Sequence, residues 1–355
     1  MSGQQSRWRS AETALERSSN RAAKPRKVIL CIKQIEKLSN MRIDVHQHLW
    51  TEPLVEALTD RHELPFVRCE SGLTVLYLAG ERPYVIDLAS EAPARRAALV
   101  ERDGLDRALV CLSSPLGVEW LPRAQARPLI DAYHDGALSL DEPFGVWGAL
   151  ALDRADPDDV DRALARGCMG VSLPAGALSN VEAIAELRPV LARLETRKAP
   201  LFVHPGPGAN SGAPRVVGDA SFDDPLWWPA LTSYVAGMQA AWLAFLAAGR
   251  PNHPRLRIVF SMLAGLAPLH AERLASRGGP CPQHPDPFVF YDISSYGPTA
   301  VRAVASVVGA QQLLYGSDRP VVEPGELGMQ DELDWEPILD GTRRALGTVP
   351  TVLAR

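Results

Sequence analysis

From residue 41 onward, short apolar runs rich in β-branched residues alternate with longer stretches of helical period. We predict eight strands, at residues 42–45, 108–112, 146–150, 170–173, 201–203, 257–260, 289–293 and 313–315. Helices are predicted between them, for example over 156–165, 181–196 and 298–308. Strands that alternate with helices favour right-handed crossovers and a parallel sheet.

Eight such units predict a (β/α)8 TIM barrel, a fold of about 250 residues that grows by insertion. The surplus length falls after strand one (residues 46–107) and after strand five (residues 204–256), so we expect insertions at these two places. An open doubly wound sheet is the structural alternative. It would carry a Gly-rich phosphate loop after an early strand, and the sequence contains neither GxGxxG nor GxxxxGK[ST].

Composition narrows the class of protein. The chain is 46% hydrophobic and 22% charged, as expected for a globular protein, and its net charge of −5 gives no support for nucleic-acid binding. No apolar run approaches the roughly 20 residues of a membrane span, so no membrane partner is expected. The five cysteines form no CxxC pair, which favours a reducing, cytoplasmic setting.

The first forty residues differ from the rest, because they hold nine Lys and Arg residues against three Glu residues. We predict a disordered N-terminal extension over 1–40 and one barrel domain over 41–355. An Arg-rich targeting segment is the alternative interpretation. Met41 directly precedes the first strand, and we hypothesise that translation starts there naturally; mass spectrometry of the native N-terminus tests this.

Four polar residues stand at the C-terminal ends of predicted strands. His46 and His48 end strand one in IDVHQHLW and project to the same side of an extended chain. His204 follows strand five in LFVHPGPG, and Asp318 follows strand eight in LLYGSDRP. Because the strand ends of a closed barrel surround one site, these residues predict a shared metal centre.

Taken together, five stretches resemble the amidohydrolase superfamily. They are DVHQHLW, LFVHPG, RIVFSMLAGLAPLHAERL, FVFYDISSYGP and LLYGSDRP. The chain from Met41 to about Pro320 is most similar to the branch that holds aminocarboxymuconate-semialdehyde decarboxylase, aromatic-acid decarboxylases and related lactone hydrolases.

This resemblance implies that His46, His48 and His204 are metal ligands and that Asp318 is both a ligand and the catalytic base. Strand four reads GVSLPAG and lacks the lysine of the two-metal members, which favours a single divalent ion. Zinc is the expected ion, with manganese or iron as alternatives. A small-molecule substrate is implied, and a homodimer is compatible with the resemblance.

The sequence departs from the superfamily after strand six, where Met262 stands at the position of the usual acid–base histidine. A thioether cannot exchange a proton near neutral pH, and such groups typically contribute about 10²–10⁴-fold to rate. Three explanations remain open. Asp318 does all the proton transfer, a group from an insertion substitutes, or the site binds metal without efficient turnover.

Substrate contacts are expected from placement near the strand ends. Trp50 would wall the pocket, Trp227 would form part of a lid, and Tyr296 would line the mouth. Arg319 would face a substrate carboxylate as a bidentate donor. The alternatives are that the tryptophans pack the insertions on the barrel and that Arg319 forms an ordinary ion pair.

Three functions are compatible with these residues. The leading hypothesis is a metal-dependent hydrolase that acts on a small organic acid, a lactone or a related compound. The alternative is a non-oxidative decarboxylase of the same branch, since the two chemistries share fold and ligands. The third is a non-catalytic metal-binding or ligand-binding barrel, which Met262 keeps open.

Overall fold

The computed structural model describes residues 41–208, 225, 227–280, 286–323 and 333–347. Its strands are β1 (Ile43–Gln47), β2 (Phe66–Glu70), β3 (Leu73–Tyr77), β4 (Tyr84–Ile86), β5 (Arg107–Val110), β6 (Phe144–Gly148), β7 (Gly170–Pro174), β8 (Leu201–His204), β9 (Ile258–Phe260), β10 (Val289–Asp292) and β11 (Leu313–Leu314). β1 and β5 to β11 pair in parallel and in chain order to form one eight-stranded sheet.

The sheet closes into a barrel between β1 and the segment that follows β11. The Val45 amide donates to the Tyr315 carbonyl (2.9 Å), and the Asp318 amide donates to the His46 carbonyl (2.9 Å). A parallel bridge pairs Gln47 with Arg319. The predicted (β/α)8 barrel is therefore confirmed, and each predicted strand coincides with an observed one to within a few residues.

Helices cover the outside of the barrel. They are α1 (Glu52–Thr59), α2 (Pro93–Arg102), α3 (Arg123–Leu138), α4 (Pro157–Arg166), α5 (Val181–Glu186), α6 (Arg188–Arg197), α7 (Trp228–Leu231), α8 (Ser233–Ala244), α9 (Arg250–Asn252), α10 (Ala271–Ser276), α11 (Pro298–Val308) and α12 (Trp335–Leu346). Shorter turns are the 3₁₀ segments Ser114–Leu116, Val118–Trp120, Ala175–Leu178, Met262–His270 and Ala310–Gln312, and the π-helical Phe245–Gly249.

Large side chains fill the barrel interior. Trp147 and Phe202, from β6 and β8, stack with their ring centroids 5.2 Å apart, and both are fully buried. The indole nitrogen of Trp147 donates to the Val45 carbonyl (2.9 Å), so β6 is connected to β1 across the intervening strand β5. The barrel is thus a packed core with its open site confined to the strand ends.

Both predicted insertions are present at the C-terminal ends of strands. The first contains α1 and an antiparallel sheet in the order β2-β3-β4, which the sequence analysis did not predict. The second contains α7, α8, the π-helical segment Phe245–Gly249 and α9. The helical run Trp228–Asn252 is long and apolar enough to cross a membrane by length and composition (mean hydropathy 1.3). Met238, Trp242 and Phe245 in this run are buried, and the absence of a membrane partner stays a prediction.

A left-handed turn follows β9. Five consecutive residues, Met262–Leu266, have φ between 51° and 64°, and only Gly265 among them is a glycine. A left-handed conformation costs a residue with a Cβ about 1–2 kcal/mol, so surrounding packing must hold this turn in place. The proposed extension over 1–40 lies outside the described residues and stays a prediction, as does the boundary at Met41.

Candidate metal centre

Three imidazole rings meet at one end of the barrel. His46 lies in β1, which extends further than predicted, while His48 follows β1 and His204 ends β8. The ring centroids are 5.1 Å apart for His46 and His48, 4.9 Å for His46 and His204, and 4.8 Å for His48 and His204. All three residues are buried.

Asp318 completes the group. Its Oδ1 atom lies 3.3 Å from His46 Nε2 and 3.2 Å from His48 Nε2, and His48 Nε2 lies 3.1 Å from His204 Nε2. Ligands held about 2.0–2.2 Å from one ion are separated by about these distances. The structure thus brings together all four predicted metal ligands.

The Nδ1 atom of each imidazole lies within hydrogen-bond distance of an oxygen atom of the protein. Nδ1 of His46 lies 2.6 Å from Asp292 Oδ2, and Nδ1 of His48 lies 3.0 Å from the Cys111 carbonyl. Nδ1 of His204 lies 2.7 Å from the Pro205 carbonyl. Such contacts fix the ring orientation of metal-binding histidines and leave Nε2 for the ion. His46 Nε2 is buried without a hydrogen-bond partner among the described residues, as a vacant ligand atom would be.

Cys111 offers an alternative to Asp318 as the fourth ligand. His46, His48, Cys111 and His204 have ligand atoms within 4.8 Å of one another. However, the Cys111 sulfur lies 3.5 Å from His48 Nδ1, whereas Asp318 stands on the Nε2 side of both histidines. Asp318 Oδ1 is therefore better placed than the Cys111 sulfur to share an ion with the Nε2 atoms of His46 and His48.

Asp44 is a buried residue of β1 that stabilises the backbone next to the site. Its Oδ1 atom accepts hydrogen bonds from the amides of His46 (3.0 Å) and Ser317 (3.0 Å), and its Oδ2 atom accepts one from Gln47 Nε2 (2.8 Å). These contacts connect β1 with the segment that carries Asp318. Burial raises the pKa of Asp44, and the hydrogen bonds partly oppose that rise.

The charges of the group favour a cation. Burial lowers the pKa of His46, but Asp292 and Asp318 outweigh burial and raise this pKa well above its ordinary value. For His48, Cys111 and Asp318 likewise overcome burial and raise the pKa to about 9. Burial raises the pKa of Asp318, but the histidines lower it to about 2. For His204, burial and the charges of His48 and His46 lower the pKa well below its ordinary value. Asp318 therefore contributes the negative charge of the group, and the His204 imidazole is neutral, as a metal ligand must be.

A cavity of about 700 Å³ opens above the ligands. His48, His204 and Asp318 line it, and most of the remaining wall is apolar or aromatic. Three residues of the wall have unusual backbone for residues with side chains: φ is 51° at Met262, 64° at Ser295 and 58° at Asp318. Strained backbone of this kind clusters at functional sites.

Three of the four predicted substrate residues, Trp50, Trp227 and Tyr296, line the cavity. Arg319 does not: it is 1% exposed and directs its guanidinium to Asp103 (2.8 Å) and Glu323 (3.1 Å). The expectation that Arg319 faces a substrate carboxylate is therefore corrected, because two carboxylates of the protein already engage it.

Several site residues were missed by the sequence analysis. Asp292 and Cys111 contact the ligand histidines, and Glu81, Arg82 and Tyr234 line the cavity. Asp292 stands at the C-terminal end of β10, the same kind of position that identified His204. That signal was available in FVFYDISSYGP. Glu81 and Arg82 lie in the loop that joins β3 to β4, where no pattern marks a functional residue.

No protein-family model and no curated protein matches the chain. Solved structures do match. An IDCase from Metarhizium anisopliae aligns with TM-score 0.66 and 17% identity over 88% of this chain and 96% of its own. A 5-carboxyvanillate decarboxylase from Novosphingobium aromaticivorans with bound manganese aligns with TM-score 0.66 and 16% identity, over 87% and 97%.

A protein described as amidohydrolase II aligns with TM-score 0.66 and 19% identity, over 86% of this chain and 99% of its own. At these identities the similarity establishes the fold. The chain has the barrel of amidohydrolases and aromatic-acid decarboxylases, and the resemblance predicted from the motifs is confirmed at that level.

Proposed function

We propose that this protein is a metal-dependent, non-oxidative decarboxylase of aromatic or dienoic carboxylic acids. The observation that carries the proposal is the convergence of three Nε2 atoms and Asp318 Oδ1 at the base of a largely apolar cavity. Several proteins with this fold are named decarboxylases, and two of them are described with manganese. This choice reverses the order of the two enzymatic hypotheses made from sequence.

His46, His48, His204 and Asp318 would hold one divalent ion. Bound there, the ion would supply Lewis acidity toward an oxygen of the substrate. Asp292, the Cys111 carbonyl and the Pro205 carbonyl keep the three imidazoles turned toward the shared point. Zinc is the ion that we propose for this donor set, and manganese is the alternative.

The walls suit a flat, anionic substrate. Trp50, Tyr84 and Trp227 line the cavity and offer aromatic faces against which a ring or diene can pack. Arg82 also lines the cavity, and its positive charge favours an anionic substrate. Apolar walls also exclude water, which strengthens the electrostatic contacts made by the remaining polar groups.

Hydrolysis is the second candidate, and the position of Asp318 favours it. Its Oδ1 atom faces two ligand imidazoles, while its Oδ2 atom accepts a hydrogen bond from Ser295 (3.3 Å). A carboxylate placed beside a metal site can accept a proton from water. Decarboxylation is preferred because several solved structures with this fold are named decarboxylases and the cavity wall is largely apolar.

Metal analysis tests the site. We expect about one equivalent of a divalent transition metal in the purified protein and its loss in the double variant His46→Ala/His48→Ala. The matched control is His62→Ala/His270→Ala, which removes two exposed histidines outside the cavity and should retain the metal. Metal-free wild-type protein after reconstitution with zinc or manganese would contradict the proposed centre.

A substrate panel tests the reaction. Carboxylated phenols and dienoic acids should release CO2 in the presence of wild-type protein, and neither the histidine double variant nor the metal-stripped protein should do so. Esters and lactones serve as the comparison panel. Ester or lactone hydrolysis without CO2 release would establish the second candidate and reject decarboxylation.

A further inference from the structure

A carboxylic acid lies in the same cavity wall as Met262. Glu81 belongs to the loop between β3 and β4, and Tyr234 lies in α8; both line the cavity together with Asp318. The Tyr234 hydroxyl donates a hydrogen bond to Glu81 Oε1. This pair joins the first insertion to the second at the opening above the metal ligands.

The helix that carries Tyr234 packs directly on the left-handed turn that contains Met262. Gln239 of α8 donates a hydrogen bond to the Gly265 carbonyl (2.7 Å). A Cβ placed on Gly265 would lie 2.7 Å from the Val235 carbonyl oxygen, so this glycine permits the close approach of helix and turn. Tyr234 and Glu81 are therefore held in a fixed relation to Met262.

Other groups around the cavity are poorly suited to donate a proton. Asp318 is held as a carboxylate by the histidines, which lower its pKa to about 2, and His48 and His204 are assigned to the metal. Burial raises the pKa of Tyr84 and of Tyr296 above the ordinary phenol value.

Glu81 has the properties of an acid–base group. Burial raises its pKa, and the hydrogen bond from Tyr234 partly opposes this rise. Burial and the charge of Glu81 raise the pKa of Tyr234 well above its ordinary value, so the phenol stays a hydrogen-bond donor. A carboxyl group whose pKa is raised keeps its proton to higher pH and is a better candidate for proton donation than an ordinary surface carboxylate.

We propose that Glu81 supplies the proton transfer for which Met262 is unsuited and that Tyr234 is its positioning residue. This inference rests on the proposed decarboxylation. The bond between the substrate carbon and its carboxylate breaks, CO2 leaves, and the electron pair stays on that carbon. The carbon then takes the proton of the Glu81 carboxyl group. Tyr234 stabilises the resulting Glu81 carboxylate, which regains a proton from solvent.

The substitution Glu81→Gln tests the proton transfer, because the amide keeps the size of the side chain and an oxygen that can accept from Tyr234. We expect kcat for CO2 release to fall by about 10²-fold or more, with KM and metal content unchanged. The control is Glu70→Gln in β2, whose carboxylate also accepts from a tyrosine, Tyr77, but lies outside the cavity.

The pH profile separates catalysis from a structural role. In wild type, kcat should fall as pH rises through the pKa of Glu81, and Glu81→Gln should lack this alkaline limb. Tyr234→Phe removes a hydrogen bond that lowers the pKa of Glu81, so the alkaline limb of this variant should move to higher pH. Arg82, Tyr84, Tyr296, His48, His204 and Asp318 also surround the cavity and are unchanged in all three proteins.

Infrared spectroscopy provides a readout that does not depend on turnover. As pH is raised, the carbonyl stretch of protonated carboxyl groups should persist to higher pH in wild type and Glu70→Gln than in Glu81→Gln. Wild-type kcat and an unchanged alkaline limb in Glu81→Gln would overturn the inference alone. Absence of CO2 release from wild type would reject the proposed function, and the assigned proton transfer would fall with it.

Discussion

Nδ1 of His46 lies 2.6 Å from Oδ2 of Asp292, and both side chains are almost completely buried. The two residues are separated by 246 positions along the chain and meet only because β1 and β10 end at the same rim of the barrel. This contact turns His46 Nε2 toward Asp318. The orientation of a candidate ligand therefore depends on a residue that is not itself a ligand.

Replacement of Asp292 should weaken metal binding without removing a ligand. In Asp292→Asn the amide can still meet the imidazole but carries no charge, and we expect metal affinity to fall about 10–100-fold. Competitive titration with a chromophoric chelator measures the change.

Gly316→Ala should displace Asp292 from His46 by steric overlap, because the new Cβ would lie 2.6 Å from Asp292 Cγ. It should lower affinity in the same direction. Ser172→Ala is the control, since this buried hydroxyl has no hydrogen-bond partner among the described residues. Unchanged affinity in both site variants would show that the His46–Asp292 contact does not tune the site.

A histidine at position 262 should compensate for the loss of Glu81. Met262 has φ of 51°, a conformation that histidine tolerates better than most residues, and it lines the cavity. We expect kcat of Glu81→Gln/Met262→His to be at least about tenfold higher than kcat of Glu81→Gln. CO2 release by both variants, at equal metal occupancy, is the measurement. A double variant as slow as Glu81→Gln would indicate that position 262 cannot deliver a proton to the substrate.

His134 should make folding stability sensitive to mild acid. It is 5% exposed, its Nε2 accepts from the Ala149 amide (3.0 Å), and burial followed by the charge of Arg166 lowers its pKa to about 4. The unfolded chain binds a proton near pH 6.5, whereas the folded state resists it. The contribution of the neutral His134 side chain to the free energy of unfolding is therefore present above pH 6.5 and is lost as pH falls toward 4.

Between pH 7.5 and pH 5 this difference should lower the free energy of unfolding by about 2 kcal/mol. In His134→Gln the amide oxygen can still accept from Ala149 but does not titrate, so the variant should lose less stability over the same interval. Urea unfolding at both pH values gives the comparison. Equal losses in the two proteins would contradict the assignment to His134.

Removal of one partner of the buried Arg96–Glu91 ion pair should destabilise the protein. Arg96 is 2% exposed and donates to Glu91 Oε2 (2.8 Å) and to Gln47 Oε1 (2.8 Å). Arg96→Met leaves Glu91 buried without its cation, and we expect unfolding free energy to fall by about 3–5 kcal/mol. Arg96→Met/Glu91→Leu should be more stable than the single variant. If the double variant is the weaker of the two, the charge pair is not the source of the effect.

Much of the fold was predictable because the parallel strands are buried on both faces. Runs such as RIVF and VFYDI are nearly continuous in apolar residues, and the end of such a run also locates the residue that faces the site. This reasoning found His46, His48, His204 and Asp318 from local pattern and a single assumption, that the barrel closes.

The remainder depends on contacts that no local pattern records. Arg319 pairs with Glu323 at a spacing visible in the sequence, but its second partner, Asp103, lies 216 residues away. The antiparallel strands β2 and β3 are rich in β-branched and aromatic residues and flank the turn residues Ser71 and Gly72, so a hairpin could have been predicted there. The contact between Glu81, which follows this hairpin, and Tyr234 could not have been predicted from the sequence.

The closure of the barrel carries a consequence for the order in which the molecule assembles. His46 stands on β1 and Asp318 on the segment that follows β11, and their backbones are hydrogen-bonded to each other where the barrel closes (2.9 Å). Contacts of such long sequence separation require nearly the whole chain to be synthesised before they can form. A ribosome-bound fragment that ends before β11 therefore lacks a complete ligand set, and an ion shared by these two residues would cross-link the first and last strands of the finished barrel.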